Sequence, residues 1–321
     1  MKQMNLAWRI CLCIIICACI ALGGKFYTMI AYPTSYGIAY KLQYNNNSMV
    51  LLGSIHMGTK AMTNWHPTLS NALDNSTTLV FECNTNDATS TTELKQSMYL
   101  PQGETLETVL TTECLNNVKL ACEELGIPFS SLSNLTPWGL TNQLTLLVTA
   151  KEMGEKNLNT AIKYGIENQV QTRVLNKQIN TLYLETVKEQ SNYTASFSKD
   201  LVEYLLNQIL VKIIKPNQTI SNNNVTQWEK WWQAGDSTKF SDAYFESMEI
   251  NSNKEKLLVN EYQNKLITSR NDKMASKIIN WLEKSENENY FVVVGLLHLV
   301  LENDNIINRL QDYGIIVTPL H

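Results

Sequence analysis

Two apolar runs in this chain close on the same four-residue figure, Gly-x-x-His, and that repetition constrains the fold more than any other feature of the sequence. Val50-Leu51-Leu52 leads into Gly53-Ser54-Ile55-His56, and Phe291-Val292-Val293-Val294 leads into Gly295-Leu296-Leu297-His298. Two further runs end on an acid instead, Leu79-Val80-Phe81 on Glu82 and Leu182-Tyr183-Leu184 on Glu185, and Ile315-Ile316-Val317 forms a fifth. Runs that are apolar throughout, rather than alternating, describe strands covered on both faces, the pattern of an α/β fold. Helical patterns lie between them: 105–125, ending at Gly126 with Pro128 beyond; 139–153, stopping at Gly154; 198–214, before Pro216; and 254–283, one long helix or two in tandem. The expected architecture is α/β. A mostly buried central sheet is flanked by helices, with two similar halves and a mainly helical section over about 190–288 that could cap the strand ends.

A chain of 321 residues with 44% hydrophobic content can bury a sizeable core. Its net charge of −4 comes without a basic block, which argues against nucleic acid as a partner. Lys2 and Arg9 precede an apolar run from Ile10 to Leu22 closed by Gly23-Gly24. That is the layout of a secretory signal, or of an uncleaved signal anchor, over residues 1–24, and it is short of the roughly 20 apolar residues of a spanning helix. Residues 25–321 are then expected as a single exported domain, periplasmic or extracellular, meeting a membrane only through a retained N-terminal segment. Outside the leader remain Cys83, Cys114 and Cys122. Cys114 and Cys122 sit on one predicted helix about 12 Å apart along its axis, beyond disulfide reach. The runs Asn45 to Asn47 and Asn222 to Asn224 read as compositional bias.

Only four histidines exist: His56, His66, His298 and His321. A glycine that ends a strand allows a tight turn and aims the following histidine into the cleft beyond the strand. Imidazole is the commonest protein ligand for zinc and its neighbours, and two histidines with one carboxylate make an open catalytic metal site. Glu82 and Glu185, also at strand ends, are the carboxylates with matching placement. The plainer reading is structural, since a single Gly-x-x-His arises often by chance. H-E-x-x-H, G-x-S-x-G, the P-loop and G-x-G-x-x-G are all absent, which removes the commonest zinc-protease, serine-hydrolase, nucleotidase and dinucleotide readings. His66, before Pro67, reads as a surface residue and the terminal His321 as frayed. Trp228, Trp231 and Trp232 read as packing on one amphipathic helix.

Taken in order, these segments resemble the TraB/GumN family, whose relatives include the Tiki Wnt-cleaving proteases and the pheromone-shutdown protein PrgY. Leu51 to Gly58 is similar to that family's first Gly-x-x-His, and Leu79 to Glu82 to its strand ending in Glu. Leu100-Pro101-Gln102-Gly103-Glu104-Thr105-Leu106, Thr136-Pro137-Trp138, Leu184-Glu185-Thr186 with Gln190, Ala234-Gly235-Asp236 and Ser269-Arg270-Asn271-Asp272 follow in family order. Phe291 to Val300 resembles the closing strand and second Gly-x-x-His. The chain departs at Leu297, where relatives carry Gly, at Cys83-Asn84, where a second acid is common, and at Glu167, where Asp is usual; both histidines and both glutamates are intact.

The resemblance implies a compact α/β core that brings the two motifs together and, for the Tiki branch, a peptidase dependent on a divalent metal ion such as zinc, manganese or cobalt. His56 and His298 would be metal ligands or catalytic bases, with Glu82 as carboxylate partner. Glu185 would complete the metal shell or act as general base. Arg270 would orient a carboxylate or hold a negative end of the substrate, and Asn271 would hydrogen-bond beside it. The plain alternative for Arg270 and Glu185 is a structural salt bridge between them. Three functions remain open at this point: a metal-dependent hydrolase of a peptide or protein, a non-catalytic binder of a peptide or small ligand on the same fold, and a metal-free hydrolase of the erythromycin-esterase kind.

Overall fold

The computed structural model describes residues 33–321 apart from 86, 156, 217–224, 247–249, 285–287 and 303. The expected leader and Asn222 to Asn224 lie outside the described residues. Six strands form one sheet: β1 Ala39–Tyr44, β2 Asn47–Ser54, β3 Thr78–Phe81, β4 Asn180–Tyr183, β5 Asn289–Gly295 and β6 Ile316–Pro319, in the order β4-β3-β5-β2-β1-β6. β4, β3, β5 and β2 run parallel, while β1 is antiparallel to both β2 and β6. The apolar runs of the central strands are covered on both faces, with Leu51, Leu52, Val80, Phe291 and Val292 fully buried, whereas the runs that form the edge strands β4 and β6 are only partly covered and Ile316 is 64% exposed, because an edge strand lacks a neighbour on one side. The sheet is flanked by helices, as an α/β fold requires.

Strand β1 is not among the sequence expectations. Its Ala39-Tyr40-Lys41-Leu42-Gln43-Tyr44 neither alternates cleanly nor runs apolar, and only Ala39 and Leu42 are buried. It becomes a strand through pairing with β2 across a tight hairpin in which Asn45 takes a left-handed conformation, φ 52°. The Asn45 to Asn47 run is therefore structural rather than compositional: Asn47 is buried and its Nδ2 donates to the Leu282 carbonyl at 2.8 Å.

The helices also differ in detail from expectation. The 105–125 pattern divides into Leu106–Val109 and Thr112–Leu125, because Leu110 turns extended and Thr111 caps the second helix while Glu203 accepts from its N–H and hydroxyl, both at 2.8 Å. The 254–283 pattern is one run, Asn253–Gln263 and Ser269–Lys284 joined through a π turn at Asn264–Thr268. The main core packs both sheet faces, and a second apolar cluster joins Leu106, Val118 and Leu140 to Leu206 and Leu210 of the helix Lys199–Ile214. Residues 106–144 and the helix Lys199–Ile214 thus share an apolar core of their own, separate from the one on the sheet. Among the described residues no helix is long and apolar enough to cross a membrane.

Candidate functional site

Four parallel strands send their carboxyl ends to one edge of the sheet, where α/β proteins place their ligands. The two Gly-x-x-His segments lie side by side there, because β2 pairs with β5 as far as Ser54 and Gly295 and Leu296 N–H then donates to the Ser54 carbonyl at 3.0 Å. The two glutamates are neighbours for the same reason. Pairing of β3 with β4 continues past the strands, with Leu184 N–H on the Phe81 carbonyl at 2.9 Å and Glu185 N–H on the Glu82 carbonyl at 2.6 Å. Trp232, buried and hydrogen-bonded from Nε1 to the Gly53 carbonyl at 2.7 Å, braces the first motif, so the tryptophan cluster serves packing as expected.

Arg270 enters from the start of the helix Ser269–Lys284, directly after the π turn, and its guanidinium is shared by the two acids. Nη2 lies 2.6 Å from Glu82 Oε2 and 2.9 Å from Glu185 Oε2, Nε donates to Glu185 at 3.0 and 3.2 Å, and Nη1 to the Leu266 carbonyl at 3.1 Å. The salt bridge between Arg270 and Glu185 is thus present, and Glu82 belongs to it too. Glu82 also accepts from Gly295 N–H at 2.5 Å and from Gln190 Nε2 at 3.1 Å. Gly295 makes that approach possible, since a Cβ there would stand 2.8 Å from Glu82 Oε1. Two carboxylates against one guanidinium leave one negative charge in excess, in a spot where the three side chains are 2 to 18% exposed.

Burial raises the Glu82 pKa, yet Arg270, His298, the Gly295 N–H and His56 together outweigh it and hold the carboxyl at about 2. For Glu185 burial prevails over Arg270 and the pKa is raised. The Arg270 guanidinium, whose pKa burial would lower, is held firmly protonated by the two acids.

His298, in the short helix Leu297–Val300, is 2% exposed. Its Nδ1 lies 2.6 Å from Asn271 Oδ1, and Nε2 faces Glu82 Oε1 at 4.0 Å. Burial depresses its pKa to about 4 against the pull of Glu82, so the ring is neutral at physiological pH. Asn271 is fully buried and its Nδ2 donates to Asp304, to the carbonyl at 3.0 Å and to Oδ1 at 3.2 Å.

His56 stands apart from this buried group. Its Nδ1 pairs with Glu167 Oε1 at 2.9 Å, and its side chain is 77% exposed. Glu167 raises the imidazole pKa to about 9, with solvent at the ring screening part of that pull. Glu167, in the first turn of the helix Ile166–Val174, is the acid the sequence comparison marked as a substitution for Asp, and it is the site residue that sequence reasoning missed as such. His56, Glu82, Glu167 and Arg270 all border one cleft of about 870 Å³, together with Trp138, Gln190 and Tyr193. Cys83 lines it as well, but burial pushes its thiol up to about 12, which makes it a poor nucleophile.

His66 and His321 lie outside the cleft. His66 Nδ1 accepts from Thr68 N–H at 3.2 Å, capping the helix Pro67–Asp74, and the ring stacks on Tyr36 at 4.5 Å. His321 is docked rather than frayed: Leu320 N–H reaches the Ala39 carbonyl at 2.9 Å, and the terminal imidazole sits over Gly235 and beside Tyr36.

The donors His56, Glu82 and His298 suit a divalent ion in kind, two imidazoles and a carboxylate, and the buried excess of negative charge would be offset by a cation. Among the described residues no three His, Cys, Asp or Glu side chains already form a ligating group. Neither the comparison with curated proteins nor that with solved structures returns a match. The model of the TraB/PrgY/gumN family does match, over residues 38–319, a span that contains the whole sheet and every side chain of the site. Carrying that family's pattern across most of its length, from the first Gly-x-x-His to the last strand, the chain belongs to the TraB/PrgY/gumN family.

Proposed function

We propose that this chain is an exported, metal-dependent hydrolase of a peptide or protein. The observation that carries the reading is the cluster in which Glu82 and Arg270 line the cleft that His56 borders, with Glu185 and His298 buried against them and negative charge in excess. A divalent ion held by His56, Glu82 and His298 would polarise a substrate carbonyl and acidify a water. The low pKa of Glu82 suits a carboxylate that stays ionised, and the neutral, buried His298 keeps its ring available without first losing a proton. Glu185 stands behind Arg270 and is 3% exposed, so its part is to orient the guanidinium rather than to meet substrate. Arg270 holds Glu82 in place and turns fixed positive charge toward the cleft. Trp138, Tyr193 and the amides of Asn84, Asn142 and Gln171 line the cleft, and these groups suit an uncharged stretch of peptide.

A second reading has its own support. Arg270 already satisfies both carboxylates, which is what a non-catalytic binding protein on this fold would keep. Zinc, manganese and cobalt binding by the full chain separates the two, measured by calorimetry for the wild type, His56→Ala and His298→Ala. Near one equivalent in the wild type, lost in each variant, supports the metallohydrolase, and a peptidase screen follows. Absence of binding, or equal binding by all three, refutes it in favour of the binder or of a metal-free hydrolase.

A further inference from the structure

The hydrogen bonds behind His298 determine which of its nitrogens carries the proton. Asn271 Nδ2 is held by two oxygens that can only accept, the carbonyl and Oδ1 of Asp304, at 3.0 and 3.2 Å. Turning the amide over would set Asn271 Oδ1 against both of them with no hydrogen between, so its orientation is decided by Asp304. Oδ1 therefore faces His298 and can only accept, and the contact at 2.6 Å requires a hydrogen on Nδ1. Asp304 is itself tied down, since Arg309 Nη1 lies 2.5 Å from its Oδ1. With Asn271 fully buried and His298 2% exposed, the contact between them is shielded from water.

We propose that Asn271 is a positioning residue of the site: anchored by Asp304, it keeps His298 as the Nδ1–H tautomer, with an unprotonated Nε2 turned toward Glu82. This is the tautomer that histidine in water favours less, and the Asn271 oxygen is the partner that selects it here. The orientation matters in the way an outer-shell hydrogen bond matters to any ligating or proton-accepting histidine, by pointing one lone pair and making it more basic. The tautomer itself stands on the hydrogen bonds; only its chemical consequence rests on the metal-dependent reading of the site.

The test is long-range proton–nitrogen correlation NMR on the nitrogen-15-labelled full chain at pH 7.5. With only four histidines present, His298 is assigned by the set of ring signals missing from His298→Gln. The expected result is a protonated Nδ1 and a bare Nε2 in the wild type. Asn271→Leu should move the proton to Nε2. Zinc affinity should fall about 10- to 100-fold in Asn271→Leu. A wild-type ring protonated at Nε2 overturns the proposal, and that reading decides the matter even if Asn271→Leu does not fold. A folded Asn271→Leu that keeps Nδ1–H, or binds zinc as tightly as the wild type does, overturns it too. If the wild type shows the Nδ1–H tautomer but binds no metal, the metallohydrolase fails and the tautomer assignment stands.

Discussion

Replacing Arg270 by methionine removes the one positive charge shared by two buried acids and keeps most of the volume. In the wild type, Glu82 and Glu185 lie 2.6 and 2.9 Å from Nη2, and the side chains of arginine and acids are 8, 18 and 2% exposed. Taking away one partner of a buried ion pair costs about 3–5 kcal/mol, because the remaining charge stays without compensation. For a chain of this size that corresponds to a fall in Tm of roughly 5–8 °C. The penalty should depend on pH with a definite sign. Without Arg270, burial would dominate and lift both carboxyl pKa values above those of the unfolded chain, so the variant loses stability as pH rises through that window and regains it in acid. Denaturant unfolding at pH 7 and at pH 4.5 measures this, with Glu185→Gln and the double variant completing a cycle. In the double variant one buried charge fewer is left unpaired, so part of the deficit should return. A variant within 0.5 kcal/mol (about experimental error) of the wild type at pH 7, or a deficit that grows in acid, would refute the reasoning.

Because burial depresses His298 to about 4, the unfolded chain takes up a proton that the folded chain refuses between roughly pH 6.5 and 4; stability should decline as pH falls through that window, and His298→Gln should flatten the decline in the same unfolding series. His56 has the opposite sign: Glu167 raises it to about 9, so its contribution is complete below about 6.5 and fades as pH rises through 9, and an NMR titration should show its midpoint dropping in Glu167→Gln. Gly235→Ala should lower stability by about 1–2 kcal/mol for the left-handed backbone, since φ is +72°; its Cβ would stand 2.0 Å from His321 Nε2, a contact the exposed terminal side chain relieves by turning aside. Deleting His321 in that background should therefore return little of the loss, as read from thermal melts.

Much of the scaffold was legible in local pattern. Continuous apolar runs mark strands without any knowledge of partners, although their burial depends on their place in the sheet, and Gly126, Gly154 and Pro216 stop helices wherever the rest of the chain goes. The break at Leu110-Thr111 was not legible, because it depends on Glu203, which arrives from another helix. Nor was β1, whose sequence is a strand only beside β2 and β6. In the site, His56, Glu82, Glu185, Arg270 and His298 could be selected by their place at strand ends and by resemblance, but Glu167 and Asp304 could not, since nothing in their own segments says which histidine system they meet.

Composition and periodicity mark which segments become strands and helices, because that tendency depends on a few neighbouring residues. The sheet order β4-β3-β5-β2 brings together residues far apart in the chain, and only that packing decides their chemistry. It sets Arg270 between two acids, exposes His56 while burying His298, and turns Asn271 toward Nδ1. Proton position, charge state and donor orientation depend on distances of a few ångströms across elements, so they belong to the tertiary structure alone.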